Sequence, residues 1–508
     1  MKPAPLCGRT TPAFMMLAAA IVLMLAACAH APAKLDQPVL RDDVPLAGLQ
    51  APARAGWPAA QWWRQYHDPQ LDDLIDRAMQ QAPDLALAQS RVNNAEQSAR
   101  LAAAQLGLSV NGSAQVSRQR LSDHGLIPNQ FLGFSWYNQA DVGAQLQYDF
   151  DWWGKKRATM EAALDQTHAA EAQRSAAALA LQYAVADTYF GWQADQARLQ
   201  LADRLLAAQE QLQRIADLRV KQGVDLPDEA QKARTQVAAV REMRVALDGS
   251  AKIRRVSLAS LLGLSPDQLP DLQPRALPRV DAGLPPDVRL DLIARRPDIA
   301  ASRWQVEAAL RKTDAARAEF FPDFSISAMA GLSSIDLGKL LTAGSRTVAL
   351  TPALHLPIFN GGSLQANYGV SKAQLDAAVA QYDSAVLTAA REVATQALGA
   401  QQIAARRHEQ QAQLAADGRL MANARARQRQ GVRDARESLV ALAQLLQQRD
   451  AATQLHAQAV GTDLSLIKAL GGGYKAPAQA ENVQADNVQA DKKSPSTIAA
   501  GAADHERH

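Results

Sequence analysis

The side chains able to do covalent chemistry are few and scattered. The 508 residues contain nine histidines and two cysteines. His67, His168, His355 and His408 lie far apart, and none belongs to a His-Glu-x-x-His pair that could hold a metal on one helix face. No Gly-x-Ser-x-Gly elbow exposes a nucleophile, and no glycine-rich phosphate loop follows a strand. These residues argue against an enzyme and call for no metal and no cofactor. One thiol is nevertheless placed for modification. Lys2 and Arg9 precede an apolar run from Phe14 to Ala27, the layout of a secretory signal, and the run ends Leu25-Ala26-Ala27-Cys28.

Small residues directly before a cysteine resemble a bacterial lipobox. In such a signal the thiol, here Cys28, is diacylated, the leader (1–27) is removed, and the new N-terminus is acylated. Ala29 follows in place of aspartate, which in lipobox proteins favours sorting to the outer membrane. An ordinary signal with a chance cysteine is the alternative. Cys7 would leave with the leader, so the mature chain could form no internal disulfide. A net charge of +3 implies no nucleic-acid partner. After Cys28 no stretch approaches 18 uninterrupted apolar residues, so there is no membrane helix, and only a closed β-barrel could cross a bilayer.

The elements that must carry any site occur twice. Pro83-Asp84-Leu85-Ala86 returns as Pro297-Asp298-Ile299-Ala300, and Arg219-Val220-Lys221-Gln222-Gly223-Val224 returns as Arg427-Gln428-Arg429-Gln430-Gly431-Val432. Leu261-Leu262-Gly263 likewise meets Ala469-Leu470-Gly471. The period is too long for a solenoid unit and indicates a duplicated half-protein. Segment 28–66 reads as an extended leader, 67–263 as a first repeat, 264–286 as a linker, 287–471 as a second repeat, and the polar stretch 472–508 as a disordered tail. A helical pattern from Trp62 runs, allowing for Pro83, to about Gly107. Two alternating segments follow, about 108–120 and 139–152. A proline-free helix then extends from about Lys155 to Gln222, breaks at Gly223, and returns from Pro227 to near Gly263. The second half gives a helix over about 287–319, strands over about 323–333 and 346–358, a long helix to about 430, a tip at 431–436, and a helix to about 470. Pro352 and Pro357 suggest a bend or an edge in the last strand.

Each alternating segment has one apolar and one polar face. Val110, Ala114, Val116, Val142, Leu146 and Tyr148 fall on the first; Ser109, Asn111, Ser113, Gln115, Gln139, Asp141, Gln145 and Gln147 fall on the second. Lipid outside and water inside would demand this arrangement. Trp136 and Tyr137 at one end, with Tyr148, Phe150, Trp152 and Trp153 at the other, fit aromatic girdles. The rival is a soluble sandwich, for which no spare apolar layer is left. Four strands cannot close a barrel alone, so several subunits must share one; three would supply 12 strands, wide enough for an aqueous bore.

Several segments together resemble the outer-membrane factor family, the TolC/OprM-like channel-tunnels, and within it the NodT-type efflux lipoproteins. They are Trp62-Trp63 through Asp68-Pro69-Gln70-Leu71, Tyr148-Asp149-Phe150-Asp151-Trp152-Trp153-Gly154-Lys155, Arg295-Arg296-Pro297-Asp298-Ile299 and Leu356-Pro357-Ile358-Phe359-Asn360-Gly361-Gly362. The resemblance runs from about Cys28 to Gly473. It implies a mostly α protein with a membrane β-barrel, whose duplicated helix-strand-strand-helix-helix repeats form, as a homotrimer, a 12-stranded outer-membrane barrel on a long periplasmic α-helical barrel. It further implies docking to a periplasmic adaptor (membrane fusion) protein and an inner-membrane pump of RND or MFS type, for passive exit of drugs or other small toxic molecules. A duct for type I protein secretion and a periplasmic coiled-coil scaffold lipoprotein are the alternatives.

By the same resemblance, Gly223-Val224 and Gly431-Val432 form the tips that meet the adaptor, although each glycine could be a plain helix stop. Arg433 sits where a gate arginine is found, and Glu229 and Glu437 where acidic residues are found. The expected latch is an Arg433–Glu229 ion pair, with Glu437 adding to an acidic ring that favours cations. Gln428 and Val440 depart from the pattern of some members. Asp434-Ala435-Arg436-Glu437 reads as a capping box.

Overall fold

The computed structural model describes residues 31–41, 44, 46, 56–122, 133–280, 282–285 and 288–475. The signal segment, Cys28 and the tail after Lys475 lie outside the described residues.

The chain builds one series of elements twice. A short 3-10 turn (Trp62–Tyr66) leads into α1 (Pro69–Gln81), α2 (Pro83–Ala104), β1 (Ser109–Arg120), β2 (Trp136–Phe150), α3 (Lys155–Lys221) and α4 (Pro227–Leu261). The second copy runs α5 (Val288–Arg295), α6 (Pro297–Ala318), β3 (Asp323–Ser334), β4 (Arg346–His355), α7 (Ser363–Arg429) and α8 (Ala435–Ala469). Helices α2 and α6 have 22 residues each, α3 and α7 have 67, and α4 and α8 have 35. At 1.5 Å per residue the longest pair reaches about 100 Å.

The helix expected from Trp62 to about Gly107 is broken twice. His67 adopts a left-handed backbone (φ 51°), and Asp68 then caps α1 by accepting from Gln70 N–H at 3.0 Å. The second break falls at Ala82, whose extended backbone (ψ 124°) is what the following Pro83 imposes. Pro297 produces the same break between α5 and α6. β4 carries Pro352 opposite Ile326, as an outer strand of the sheet can, and stops at His355, two residues short of Pro357.

The four strands form one antiparallel sheet in the order β1-β2-β3-β4. Its register pairs even with even residues and odd with odd across every ladder: Val110 with Leu146, Leu146 with Ala328, and Ala328 with Leu350. Apart from Tyr137, Met329, Ala349 and Ala353, the apolar residues of the four strands therefore share one face, and no other layer of the described residues covers it; Val110, Val116, Val348 and Leu350 are all more than 60% exposed.

The core sits along the helices, away from the sheet. One cluster joins Trp62, Leu71, Leu74, Tyr189, Leu258 and Leu464. The other joins Leu292, Ile299, Tyr382, Val386, Leu466 and Leu470. A polar clasp crosses the first cluster: buried Tyr189 donates its hydroxyl to Asp68 at 2.7 Å and accepts from Gln193 Nε2 at 2.8 Å. Gln193 Oε1 in turn accepts the backbone N–H of Arg275, pinning the inter-repeat linker to α3.

The two recurring signatures, a proline-started helix and a closing glycine, touch each other. Gly263 follows α4 with φ 71°, and a Cβ there would stand 2.9 Å from Gln81 O and 3.1 Å from Pro83 Cδ. Gly471 follows α8 with φ 88°, and its Cβ would fall 1.8 Å from Arg295 O, just ahead of Pro297. Each repeat thus locks its last helix onto its own second one. A left-handed backbone alone costs a non-glycine residue about 1–3 kcal/mol. Gly471→Ala should lower the thermal midpoint by several degrees, and Gly263→Ala by less, when helix content is followed by circular dichroism. Equal midpoints for both variants and wild type would contradict this packing.

Candidate functional site

The wall comes first. Every polar residue proposed for the bore lies on one face: Ser109 stands opposite Gln147, Asn111 opposite Gln145, Ser113 opposite Gly143, Gln115 opposite Asp141, and Ser117 opposite Gln139. Ser333 of β3 donates to Asp141 at 2.6 Å, extending the polar face across the middle ladder. On the other face Tyr148, Phe150, Trp152 and Phe324 make a run of ring contacts with centroids 4.1–5.7 Å apart, and Arg118 lies over Trp136. Tyr137 departs from the girdle expectation. Its odd parity puts it on the polar face, where its hydroxyl donates to Gln119 Oε1 at 2.9 Å.

The wall turns into the tube through a capped junction. Asp151 accepts from the N–H groups of Lys156 and Arg157, the first free donors of α3, while Gly154 supplies a left-handed cap (φ 77°). The equivalent Gly362 (φ 86°) caps α7. Lys156 Nζ also reaches Asp149 at 2.9 Å, joining strand to helix.

At the far end both hairpins turn in the same way. Gly223 and Gly431 each have φ 71°. Val224 N–H bonds Arg219 O at 2.9 Å and Gly223 N–H bonds Val220 O; Val432 and Gly431 repeat this with Arg427 O and Gln428 O. These are Schellman stops, so each glycine does end a helix. Nothing in the subunit lies within 4 Å of where their Cβ atoms would be. Val224 and Val432 are 58% and 66% exposed, an apolar residue at each apex with no partner in the subunit.

Within one subunit the charges at the tips take local partners. Arg433 and Glu229 do not meet within the subunit: Arg433 Nε lies 3.5 Å from Glu437 Oε2, and Glu229 Oε1 takes Lys232 Nζ at 2.8 Å. Partners one helical turn away are already held within reach and win over distant ones. Glu437 also accepts from Arg427 Nη1 at 2.7 Å, so it does not stand as a free member of an acidic ring. The capping box is half-formed for the same reason: Asp434 caps Arg436 N–H at 3.0 Å, but Glu437 is turned to the arginines. Gln428 accepts from the Ser438 hydroxyl, tying α7 to α8.

Two groups at this end were not singled out from the sequence. Arg219 grips Asp225 through two hydrogen bonds of 2.7 and 2.9 Å, and that guanidinium holds the Asp225 carboxyl below the usual carboxylate range. Arg436 approaches the same carboxylate at 3.9 Å from the other hairpin. They line a groove of about 330 Å³ between α3, α4 and α8, together with Glu229 and Lys232. The arginine six residues before an aspartate across a Gly-Val turn was the available signal.

The profile of the outer membrane efflux protein family matches residues 74–264 and 289–472, one segment for each repeat. The chain belongs to the outer membrane efflux protein family. Among its relatives, the multidrug resistance outer membrane protein MdtP of Escherichia coli K12 is 34% identical over 454 residues, covering 88% of this chain and 92% of the relative. MdtQ of Escherichia coli O157:H7, also named a multidrug resistance outer membrane protein, is 33% identical over 474 residues, covering 90% and 97%. The crystal structure of the outer membrane protein VceC from Vibrio cholerae superposes with a TM-score of 0.75 at 29% identity, over 82% of this chain and all of that one. The outer-membrane channel OprN superposes at 0.79 with 25% identity, over 89% and 100%. This member of the efflux family is therefore an outer-membrane transport component and not an enzyme.

The tip pairing makes a specific prediction for this family member. In a double-mutant cycle on hairpin stability, Arg433→Ala and Glu437→Ala should couple by about 0–1 kcal/mol. Arg433→Ala and Glu229→Ala should be additive in the isolated subunit. Coupling only in the second pair would reinstate the latch first expected.

Proposed function

We propose that three copies close a 12-stranded barrel in the outer membrane and a helical tube in the periplasm, forming the passive exit duct of a tripartite efflux system. The carrying observation is a sheet with one predominantly apolar face, whose Arg118, Arg120, Asn138, Ser334 and Arg346 gather at the loop end of the strands, and with two outer edges, β1 and β4, that pair with no other strand among the described residues. Such edges are prohibitive in hydrocarbon unless further strands pair with them. The polar row from Ser109 to Gln147 would then line the bore, and the roughly 100 Å helices would carry the duct to the adaptor and the RND- or MFS-type pump.

Anchoring by Cys28 fits the course of the leader. Arg317, six residues before the start of β3, donates to Pro32 O at 2.7 Å, and Tyr382 donates to Arg41 O at 2.9 Å. Cys28 precedes Pro32 by four residues, a reach of at most about 14 Å, so an acyl chain there would lie beside the membrane end of the wall. The exposed Val224 and Val432 support the tips as the docking points. No observation favours a protein-secretion duct or a scaffold; a scaffold would leave the two-faced sheet without a role.

Detergent-purified protein should run as a heat-modifiable trimer and open pores in planar bilayers, whereas a stable detergent-free monomer would refute the channel. Replacing both Val224 and Val432 by Asp should preserve trimers, because both side chains are exposed and the glycine turns are untouched, yet reduce drug resistance to that of a deletion strain. Full resistance would show that the tips do not engage the partner.

A further inference from the structure

We infer that the periplasmic mouth of this tunnel is basic and passes anions in preference to cations, so that solutes bearing net negative charge, such as organic carboxylates, leave most readily. The inference rests on the trimeric channel proposed above.

It begins from a difference between two copies of one hairpin. At the 208-residue offset that superimposes the tips, three positions reverse sign: Asp217 becomes Arg425, Asp225 becomes Arg433, and Asp228 becomes Arg436. Arg219, Lys221 and Glu229 keep their sign as Arg427, Arg429 and Glu437. Over 211–229 the first hairpin has three basic and four acidic residues, a balance of −1; over 419–437 the second has six arginines and two acids, a balance of +4. Together they give +3 per subunit, hence +9 around a ring of three.

The pairing makes this excess effective. On the first hairpin Asp225 is held by Arg219, Glu229 by Lys232 and Asp217 by Arg234 at 3.1 Å, which leaves Asp228 as its one acid without an ion pair among the described residues. On the second, Glu437 lies between Arg427 and Arg433, and Asp434 is occupied by the N-terminus of α8. Arg425 and Arg429 are exposed and have no acidic partner among the described residues. Against the single unpaired acid Asp228, the unneutralised excess at the mouth is therefore basic, and its guanidinium groups stay charged at any physiological pH.

Position gives the mouth its weight. Charges are screened within about 10 Å at 0.1 M salt, so acids on the wall of a wide bore act weakly on ions near its axis. Those on this wall are also engaged, Asp149 with Lys156 and Asp141 with Ser333. Where six hairpin tips converge, a permeating ion passes within a Debye length of several arginines at once, and such convergent fields set local counter-ion concentration.

The test is the reversal potential of the full-length protein in planar bilayers under a KCl gradient. The expected chloride-to-potassium permeability ratio exceeds about two, and it should not change between pH 5 and pH 8. The variant R425D/R433D/R436D, which installs the acids of the first hairpin, should move the ratio below one, and R425Q/R433Q/R436Q should bring it near one. A potassium preference in the wild type overturns the inference while leaving the channel intact, as does a charge-reversed trimer that keeps the wild-type ratio. If neither variant assembles, the wild-type ratio and its flat pH profile decide the matter alone. A protein that opens no pores removes the channel reading and this inference together.

Discussion

A β-strand edge carries a row of unpaired N–H and C=O groups, and in hydrocarbon no water is present to satisfy them. That requirement governs the whole molecule. The sheet of one subunit has an apolar face with no covering layer and ends at β1 and β4. A soluble protein with these two features would aggregate edge to edge. In a membrane, with neighbours completing the ladder, both become assets: the apolar face meets acyl chains, and the edges become seams. The polar face is then turned inward, and its row of Ser, Asn, Gln and Asp side chains needs no further justification than contact with water.

The helical part answers a different demand. A tube wall is wet on both sides, so its helices cannot rely on a deep apolar core along their whole length. Apolar packing is instead concentrated in two large clusters along α3 and α7, where the short helices, the linker and the leader wrap around them, with a smaller one of Leu205, Val240, Ala443 and Leu446 nearer the tips. Beyond that smaller cluster, towards the tip, helices are joined by ion pairs such as Arg234 with Asp217. Exposed pairs of this kind contribute little each. The hairpins are consequently the least firmly built part of the subunit, which suits a region whose neighbours are other subunits and another protein.

Much of the architecture could be read from residue order alone. The duplication, the four strands with their parity, the two long helices and both glycine turns follow from periodicity and from where glycine and proline stand. Helix interruptions at His67 and Ala82 were less visible, because a left-handed histidine has no clear sequence mark and Pro83 can start one helix as well as end another. The tip ion pairs were legible only as a list of charges. Which partner each side chain takes depends on helix phase: Arg433 falls within reach of Glu437, and Glu229 within reach of Lys232. Tyr137 shows the same limit, since aromatic character suggested a girdle while a single residue of parity assigned it to the water side.

The exact match in length between α3 and α7, and between α4 and α8, has an evolutionary corollary. Losing one residue from α3 would draw its hairpin back by about 1.5 Å and swing every later side chain through about 100°. Its counterpart α7 would keep its old phase and overshoot. Length drift in one copy is thus tolerable only if the other copy drifts with it, or if change is confined to the loops between strands, where no phase is transmitted. Divergence in this chain should accordingly be found as substitution along the tube and as insertion only at its outer rim.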